Sequence, residues 1–468
     1  MILWLEWLKC AMELRGACTR NRTFIWMVIC LMGMTVRTDL IGVSSFMRAL
    51  HLKDHCYNRL LDLMHSSAVN LEQLSKLWLR LVLRIFPAPL RINGRIILVG
   101  DGLKIGKEGR KMPAVKSLHQ ESENNSKAEY IMGHSCQVIA LLVGACQTFF
   151  AVPLVSRIHE GLVFSNRNTK TLFDKMLQML NELCIELPFY LVVDAYYANR
   201  KMVSGLLTQN QHLVTHVKSN AVAYIPVNQV KEKRHRGRPK KYGDKIKLKS
   251  FFKNKVLFEE ADSPVYGEKG VVLRFYARKL YWRAAGVLVQ FVLVIHPTRG
   301  CIILMSTDLT LPPLEVIRLY GLRYKIELSF KNTLHVIGTY AYHFWMQSMD
   351  KIKRCAGNQY LHHKTENYRT AVRRKMSAYH CHMQLGLIAQ GLLQYLSCTM
   401  APRVWQCFGS WLRTIRPGIP PSEYVVATAM RNSLKYFLAD SNNDSIFKKF
   451  LIENIDFSRD PNFTLAAA

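Results

Sequence analysis

The sequence predicts an α/β protein in which a mixed sheet lies between two all-α regions, and three observations carry this prediction. Residues 95–101 and 189–194 are short apolar runs that each end in an aspartate, which indicates buried strands. Residues 169–183 carry apolar positions on one helical face and lie between predicted strands. Residues 45–86 instead repeat apolar positions every three or four residues, and the chain returns to a helical pattern beyond residue 340.

Length and charge limit the possible functions. The chain has 468 residues, of which 49% are hydrophobic, so it is long enough for about three folded domains. Its 64 Lys and Arg against 33 Asp and Glu give a net charge of +31. Such an excess of like charge opposes a compact state unless a polyanion neutralises it, and nucleic acid is the commonest such partner.

A membrane partner is not expected. The most apolar stretch, residues 24–34, has eleven residues and is too short to span a bilayer, so we predict a buried core helix there. The twelve cysteines include no Cys-x-x-Cys pair, which favours reduced thiols in an intracellular protein, with Cys184 and Cys301 expected to be buried.

The predicted domain plan follows the changes in pattern along the chain. We expect a helical DNA-binding domain over residues 1–90, although a packing domain with a solvated basic face fits that pattern equally well. A catalytic core is expected over residues 91–340, with a strand-rich basic insertion over residues 219–305. A helical C-terminal domain is expected over residues 341–468.

Three acidic residues are the candidate catalytic groups. Asp101 and Asp194 each follow an apolar strand, and Glu327 lies in a predicted basic helix. An aspartate at a strand end often only begins a turn, so the hypothesis depends on the combination. Converging carboxylates repel one another unless cations neutralise them, and hard oxygen ligands suit Mg²⁺, with Mn²⁺ as a substitute. Two such ions would stabilise both oxygens of a phosphodiester displacement.

The segment around Glu327 is the sharpest local signal. Tyr320, Arg323, Glu327 and Lys331 fall on one stripe of a single predicted helix that opens near residues 312–313. Cations one turn away on each side would favour the charged carboxylate and could grip phosphates beside the metal ions. Ordinary ion pairs on a solvated helix are the alternative interpretation.

This segment, residues 304–331, resembles the Tyr-x2-Arg-x3-Glu-x6-Lys signature of the DDE insertion-sequence transposases, with Tyr320, Arg323 and Glu327 at the matching positions. The lysine of the signature falls on Leu334, and Lys331 is the candidate substitute. The resemblance also covers the two aspartates and the insertion before the third acid.

The resemblance implies a fold, an activity and partners. It implies an RNase H-like catalytic core and Mg²⁺-dependent cutting and rejoining of double-stranded DNA at transposon ends. It further implies a homodimer in the DNA complex, paired in part by the C-terminal domain, and a cytoplasmic, nucleoid-associated protein of a prokaryote.

Further DNA contacts are expected from the insertion. Residues 236–241 resemble an AT-hook core, although a solvated basic loop that contacts only phosphate is the favoured alternative. Trp282 could stack on a displaced base, but a core tryptophan is the commoner case. The candidate DNA-contacting residues of the insertion are Arg234, Arg236, Arg238, Lys240, Lys241 and Trp282.

The sequence therefore predicts a DNA transposase that binds transposon ends, cleaves them and transfers their 3′ ends to target DNA. One alternative is an RNase H-like nuclease without strand transfer. The other is a non-catalytic DNA-binding protein derived from a transposase, which the departure at Leu334 keeps open.

Overall fold

The computed structural model describes residues 1–120, 128–145, 148–227, 240–413, 415, 418–440 and 445–459. Most of the AT-hook-like segment, with Arg234, Arg236 and Arg238, lies outside the described residues.

The chain begins with helices whose apolar faces are buried. The N-terminal helices are α1 (Ile2–Met12), α2 (Asn21–Val36), α3 (Ser44–Ala49), α4 (Cys56–Met64) and α5 (Leu71–Ile85). The side chain of Asn70 accepts a hydrogen bond from Gln73 N and so caps α5, which ends before Pro87. Every residue from 26 to 36 of α2 is buried. None of the described helices is both long and apolar enough to cross a membrane.

The central strands form one mixed sheet. The first elements of this region are β1 (Arg91–Ile92), β2 (Arg95–Gly106), β3 (Lys116–His119), β4 (Tyr130–Ala145), β5 (Thr148–Ile158), β6 (Leu162–Val163), α6 (Leu172–Glu182), β7 (Phe189–Val193), α7 (Arg200–Leu207) and β8 (His212–His216). All of these strands except β6 belong to the mixed sheet. Strand β4 pairs antiparallel with both β5 and β2, whereas β2, β7 and β8 run parallel to one another. The order β5-β4-β2-β7-β8, with helices between the parallel strands, confirms the RNase H-like α/β core.

The strands after residue 219 extend this same sheet. They are β9 (Val222–Pro226), β10 (Tyr242–Lys247), β11 (Glu259–Asp262), β12 (Val272–Trp282), β13 (Val287–His296) and β14 (Gly300–Ser306). Strand β14 pairs antiparallel with β8, so the strand-rich segment continues from the edge of the core.

The remaining elements are mainly helical. They are α8 (Pro313–Leu322), α9 (Lys325–Asn332), a π-helical turn (Thr333–Ile337), β15 (Gln359–Tyr360), α10 (Glu366–Thr399), α11 (Ala401–Phe408), α12 (Glu423–Ala439) and α13 (Ile446–Asn454). The single helix predicted through Lys331 is wrong, because the α-helical pattern breaks at residues 323–324. There the amides of Arg323, Ile326 and Glu327 bond to carbonyls three residues back, which tightens the turn.

The two faces of the sheet belong to different apolar cores. Alternate residues of β2 and β7, such as Ile96 and Leu191, belong to the same apolar cluster as helices from both ends of the chain, and α5 and α10 contact the sheet at β5. The intervening residues, such as Val99 and Val192, pack on α8 and α9. Helices from both ends thus share one core, and the division into residues 1–90, 91–340 and 341–468 stays a prediction.

The expected burial of two cysteines is wrong. Cys184 and Cys301 are both exposed. Cys184 has a positive φ of 49° in the turn after α6, and Cys301 follows the glycine that opens β14. Turns such as that of Cys184 lie at the surface, and Cys301 lies at the exposed first end of β14, before the strand enters the core.

Candidate active site

Asp101 and Asp194 occupy equivalent places on neighbouring parallel strands. The register pairs Ile96 with Phe189 and continues to Val99 with Val192. When this register is continued for two more residues, Asp101 stands opposite Asp194. Both acids continue the face that packs on α8 and α9, since side chains alternate along a strand. The sheet therefore brings the two predicted acids to one edge, facing the helix that carries Glu327.

Backbone amides orient both aspartates. The Gly102 amide donates to Asp101 Oδ1 over 2.7 Å, and the Tyr196 amide donates to Asp194 Oδ1 over 3.1 Å. The Thr215 hydroxyl, from β8, also donates to the backbone carbonyl of Asp194 over 2.7 Å. These bonds restrict where the carboxylates can point.

Arg323 connects the sheet to the third acid. It lies between α8 and α9, and its guanidinium donates to Asp101 Oδ2 over 2.9 Å and to Glu327 Oε1 over 3.0 Å. The side chains of Arg323 and Asp101 are each 18% exposed, whereas that of Glu327 is 57% exposed. One guanidinium thus bridges two of the three predicted acids, at a site open on the Glu327 side.

The electrostatics of the site show crowded negative charge. Burial raises the pKa of Asp101 to about 6, Arg323 opposes that rise, and the charges of Asp194 and Glu327 add to it. Burial disfavours the charged form of Arg323, but Asp101 and the other nearby groups raise its pKa overall. One arginine therefore does not fully offset the cost of ionising Asp101.

The donor chemistry fits a hard divalent cation. Carboxylate oxygens are the ligands that Mg²⁺ prefers, and the raised pKa of Asp101 indicates a place where further positive charge would be stabilised. Among the residues that the structure describes, no group of three His, Cys, Asp or Glu side chains is arranged to hold a metal ion. In this conformation Arg323 lies between Asp101 and Glu327 instead.

The other residues of the signature surround this bridge. Tyr320 is half-buried, and Arg323 lies 5.8 Å from the centre of its ring. Lys331 is exposed on α9, one turn after Glu327. Leu334 is half-buried against an apolar cluster within the π-helical turn. Leu334 therefore cannot supply the lysine of the signature. Lys331 faces solvent on the helix that carries Glu327.

The residues predicted in the insertion lie in contrasting surroundings. Lys240 and Lys241 are exposed, and the Lys241 ammonium donates to the Gly286 carbonyl over 2.5 Å. Trp282 is buried at the end of β12 with 8% exposure. Its stacking on a displaced base stays a prediction, and it would require the indole to move out of its buried position.

Sequence reasoning missed polar neighbours of the acids. His216 ends β8, its ring centre lies 6.1 Å from that of Tyr320, and burial lowers its pKa. Gln137 on β4 donates to the hydroxyl of Tyr197 over 2.9 Å, and Tyr197 follows Asp194 by three residues. His216 ends the apolar strand β8, much as Asp194 follows the apolar strand β7, and that placement was the available signal. A buried glutamine leaves no comparable pattern.

Comparison with known families adds to this geometry. The model of a family described as DDE superfamily endonuclease matches residues 13–263, more than half of the chain. The chain belongs to the DDE superfamily endonucleases. The match includes Asp101 and Asp194 and ends before Glu327. The assignment of Glu327 as the third acid of this DDE endonuclease therefore rests on the local geometry and on the signature.

Other comparisons add little to the assignment of this DDE endonuclease. No curated protein matches it. One similar solved structure is the piggyBac transposase synaptic complex with hairpin DNA, at 13% identity and a TM-score of 0.34. The similarity covers 93% of this chain and 76% of that chain, at a TM-score too low to support an inference.

Proposed function

We propose that this DDE endonuclease is a DNA transposase that binds transposon ends, cleaves them and transfers their 3′ ends to target DNA. The register equivalence of Asp101 and Asp194 carries this proposal, together with the guanidinium that links Asp101 to Glu327. The Tyr-Arg-Glu part of the insertion-sequence signature supports the transposase class over other members of the family.

Asp101, Asp194 and Glu327 would hold two Mg²⁺ ions, with Mn²⁺ as a substitute. When bound, such ions stabilise the attacking and leaving oxygens of a phosphodiester displacement. The backbone bonds to Asp101 and Asp194 orient the two carboxylates before any ligand arrives. Glu327 is the most exposed of the three, so its side chain has the freedom to adjust.

The cations of the site would orient the DNA strand. Arg323 and the exposed Lys331 would contact phosphates next to the scissile bond, and Tyr320 would support Arg323. The exposed Lys240 and Lys241 would contact the duplex further along the insertion. A net charge of +31 supports such a polyanionic partner.

The assembly and location follow the same proposal. Transposition holds two DNA ends together, so we propose a homodimer in the DNA complex. A prokaryotic, nucleoid-associated location goes with the insertion-sequence class.

A strand-transfer assay tests the proposal. Duplexes taken from both sides of the coding gene are incubated with the protein, Mg²⁺ and a supercoiled target plasmid. A transposase joins the 3′ ends to the plasmid, a nuclease only nicks DNA, and a DNA-binding protein shifts the duplex without cutting it. Joined products support the proposal, and either of the other outcomes contradicts it.

Variants of the acids test their role in the same assay. Asp101→Asn, Asp194→Asn and Glu327→Gln should each abolish cleavage and leave duplex binding nearly intact, because each removes a metal-ligating carboxylate and none removes a cation that contacts DNA. Asp350→Asn, an exposed aspartate paired with Lys364, is the control and should cleave normally. Full cleavage by any of the three variants would remove that residue from the catalytic set.

A further inference from the structure

The bridging arginine has consequences for metal binding. Its two amino groups each bond to a different acid, Asp101 at 2.9 Å and Glu327 at 3.0 Å. The side chains of Arg323 and Asp101 are each 18% exposed, so solvent screens this pair only weakly, whereas the pair with the 57% exposed Glu327 is screened more. A divalent cation near both carboxylates would meet a fixed positive charge at short range.

The same arginine also holds the two acids in a fixed relation. Each carboxylate has an oxygen occupied by an N–H group, and an oxygen that accepts a charge-assisted bond is a poorer ligand. The described residues correspondingly offer no three-ligand metal arrangement. The charge and the geometry of Arg323 therefore act in the same direction, against a bound cation.

We propose that Arg323 is an internal counter-ion that keeps the acid site closed to divalent cations until a DNA phosphate draws the guanidinium away. This inference rests on the proposed function and adds a substrate requirement for metal binding. A phosphate competes well for the guanidinium because it accepts two parallel N–H bonds, as a carboxylate does. The two binding events are then positively coupled.

The surroundings of Arg323 allow this exchange. Glu327 is 57% exposed, so one end of the bridge is accessible to a DNA strand. Arg323 also follows α8 at the tight turn between the two helices. Rotation of its long side chain moves the guanidinium away from the acids without unwinding either helix.

The test measures Mn²⁺ binding by the full chain in the absence of DNA, from the electron paramagnetic resonance signal of free Mn²⁺. Arg323→Gln should bind Mn²⁺ at least about tenfold more tightly than the wild type, because the competing charge and both bonds are lost. Arg318→Gln is the matched control. Arg318 lies on α8 and pairs with Glu315 rather than with the proposed metal ligands, so its removal should change the affinity less than about threefold.

Two further variants locate the effect. Asp101→Asn combined with Arg323→Gln should lose the gain, because the site itself is damaged. Arg323→Lys keeps the charge but cannot bridge two carboxylates with a planar fork, so it should give a smaller gain and serves if the glutamine variant does not fold. Unchanged or weaker binding in a folded Arg323 variant, or a gain that survives in the double variant, would overturn the inference.

A DNA arm tests the coupling. A duplex of about 30 base pairs, corrected for the Mn²⁺ that the DNA alone binds, should raise the Mn²⁺ affinity of the wild type severalfold and leave Arg323→Gln unchanged. No effect on the wild type would overturn the substrate requirement. Mn²⁺ binding as expected without DNA cleavage would contradict the proposed function alone, whereas cleavage without a gain in Arg323→Gln would contradict this inference alone.

Discussion

The side-chain amide of Asn332, at the end of α9, donates a hydrogen bond to the buried carboxylate of Glu423 over 2.7 Å. Gln394, on α10, donates to the other oxygen of the same carboxylate over 2.9 Å. Gln390 adds a bond to the Ser329 carbonyl over 3.0 Å. The helix that carries Glu327 is therefore tied to two C-terminal helices by buried polar contacts.

Removing this buried carboxylate should destabilise the protein. Glu423→Ala removes the acceptor of the Asn332 amide and leaves the Gln394 amide only its longer, 3.4 Å bond to the Ala151 carbonyl, so we expect a loss of about 2–4 kcal/mol in the free energy of unfolding. Urea unfolding measures it. Glu453→Ala, at an exposed glutamate of α13, is the control and should be nearly neutral. Equal stability of the two variants would show that the network does not hold α9.

Lys331 should matter for cleavage if it replaces the lysine of the signature. Lys331→Ala should then reduce the cleavage rate about tenfold, equivalent to about 1.4 kcal/mol in the activation barrier, with little change in thermal stability. Rates at saturating duplex measure it. Lys435→Ala, near the C-terminal end of α12 and about three turns after Glu423, is the control for a general loss of charge. A change confined to the melting temperature would instead indicate an ordinary helix ion pair.

The raised pKa of Asp101 predicts a pH dependence of stability. Its folded value of about 6 exceeds the unfolded value of 3.8, so the folded state binds the proton more tightly. The contribution to stability is fully present below about pH 4 and is lost as the pH rises through about 6, by up to about 3 kcal/mol. Urea unfolding of the metal-free wild type and Asp101→Asn at several pH values measures it. A stability difference that stays constant with pH would contradict the assignment.

The basic segment of the insertion should contribute to DNA affinity through phosphates. Replacing Arg234, Arg236, Arg238 and Lys240 with alanine should weaken binding and flatten the slope of log affinity against log salt by about 0.9 per lost contact. Duplex titrations at several salt concentrations measure it. A larger loss on A·T-rich than on G·C-rich DNA would indicate minor-groove contacts as well, since that groove distinguishes these pairs. An unchanged slope would show that this segment does not touch DNA.

The sequence indicated the sheet and its two acids because the signal is local. A short apolar run followed by an aspartate favours a buried strand, and both runs form strands, although β2 continues past Asp101 to Gly106. The parallel register that places Asp101 beside Asp194 depends on a crossover between distant segments. It therefore could not be obtained from either strand alone.

The partners of Arg323 could not be predicted, for a similar reason. Its bond to Glu327 follows from helical spacing, but its bond to Asp101 joins residues 222 positions apart. The break at residues 323–324 follows Gly321 by two residues, but an isolated glycine inside a helical pattern is often tolerated and does not by itself predict a break. The exposed cysteines show the same limit, since an apolar residue type does not by itself place a side chain inside.

The core shared by helices from both ends affects how the protein is made. Helix α2, buried throughout residues 26–36, packs against α10 and α12, which lie hundreds of residues later. At ordinary rates of translation the ribosome reaches α12 about 20–80 s after α2. During that interval α2 can be covered only on the side that contacts α3 and α4, and the side that packs on α10 and α12 stays exposed. We therefore expect full-length synthesis to depend on holding chaperones, and fragments that stop before α10 to aggregate.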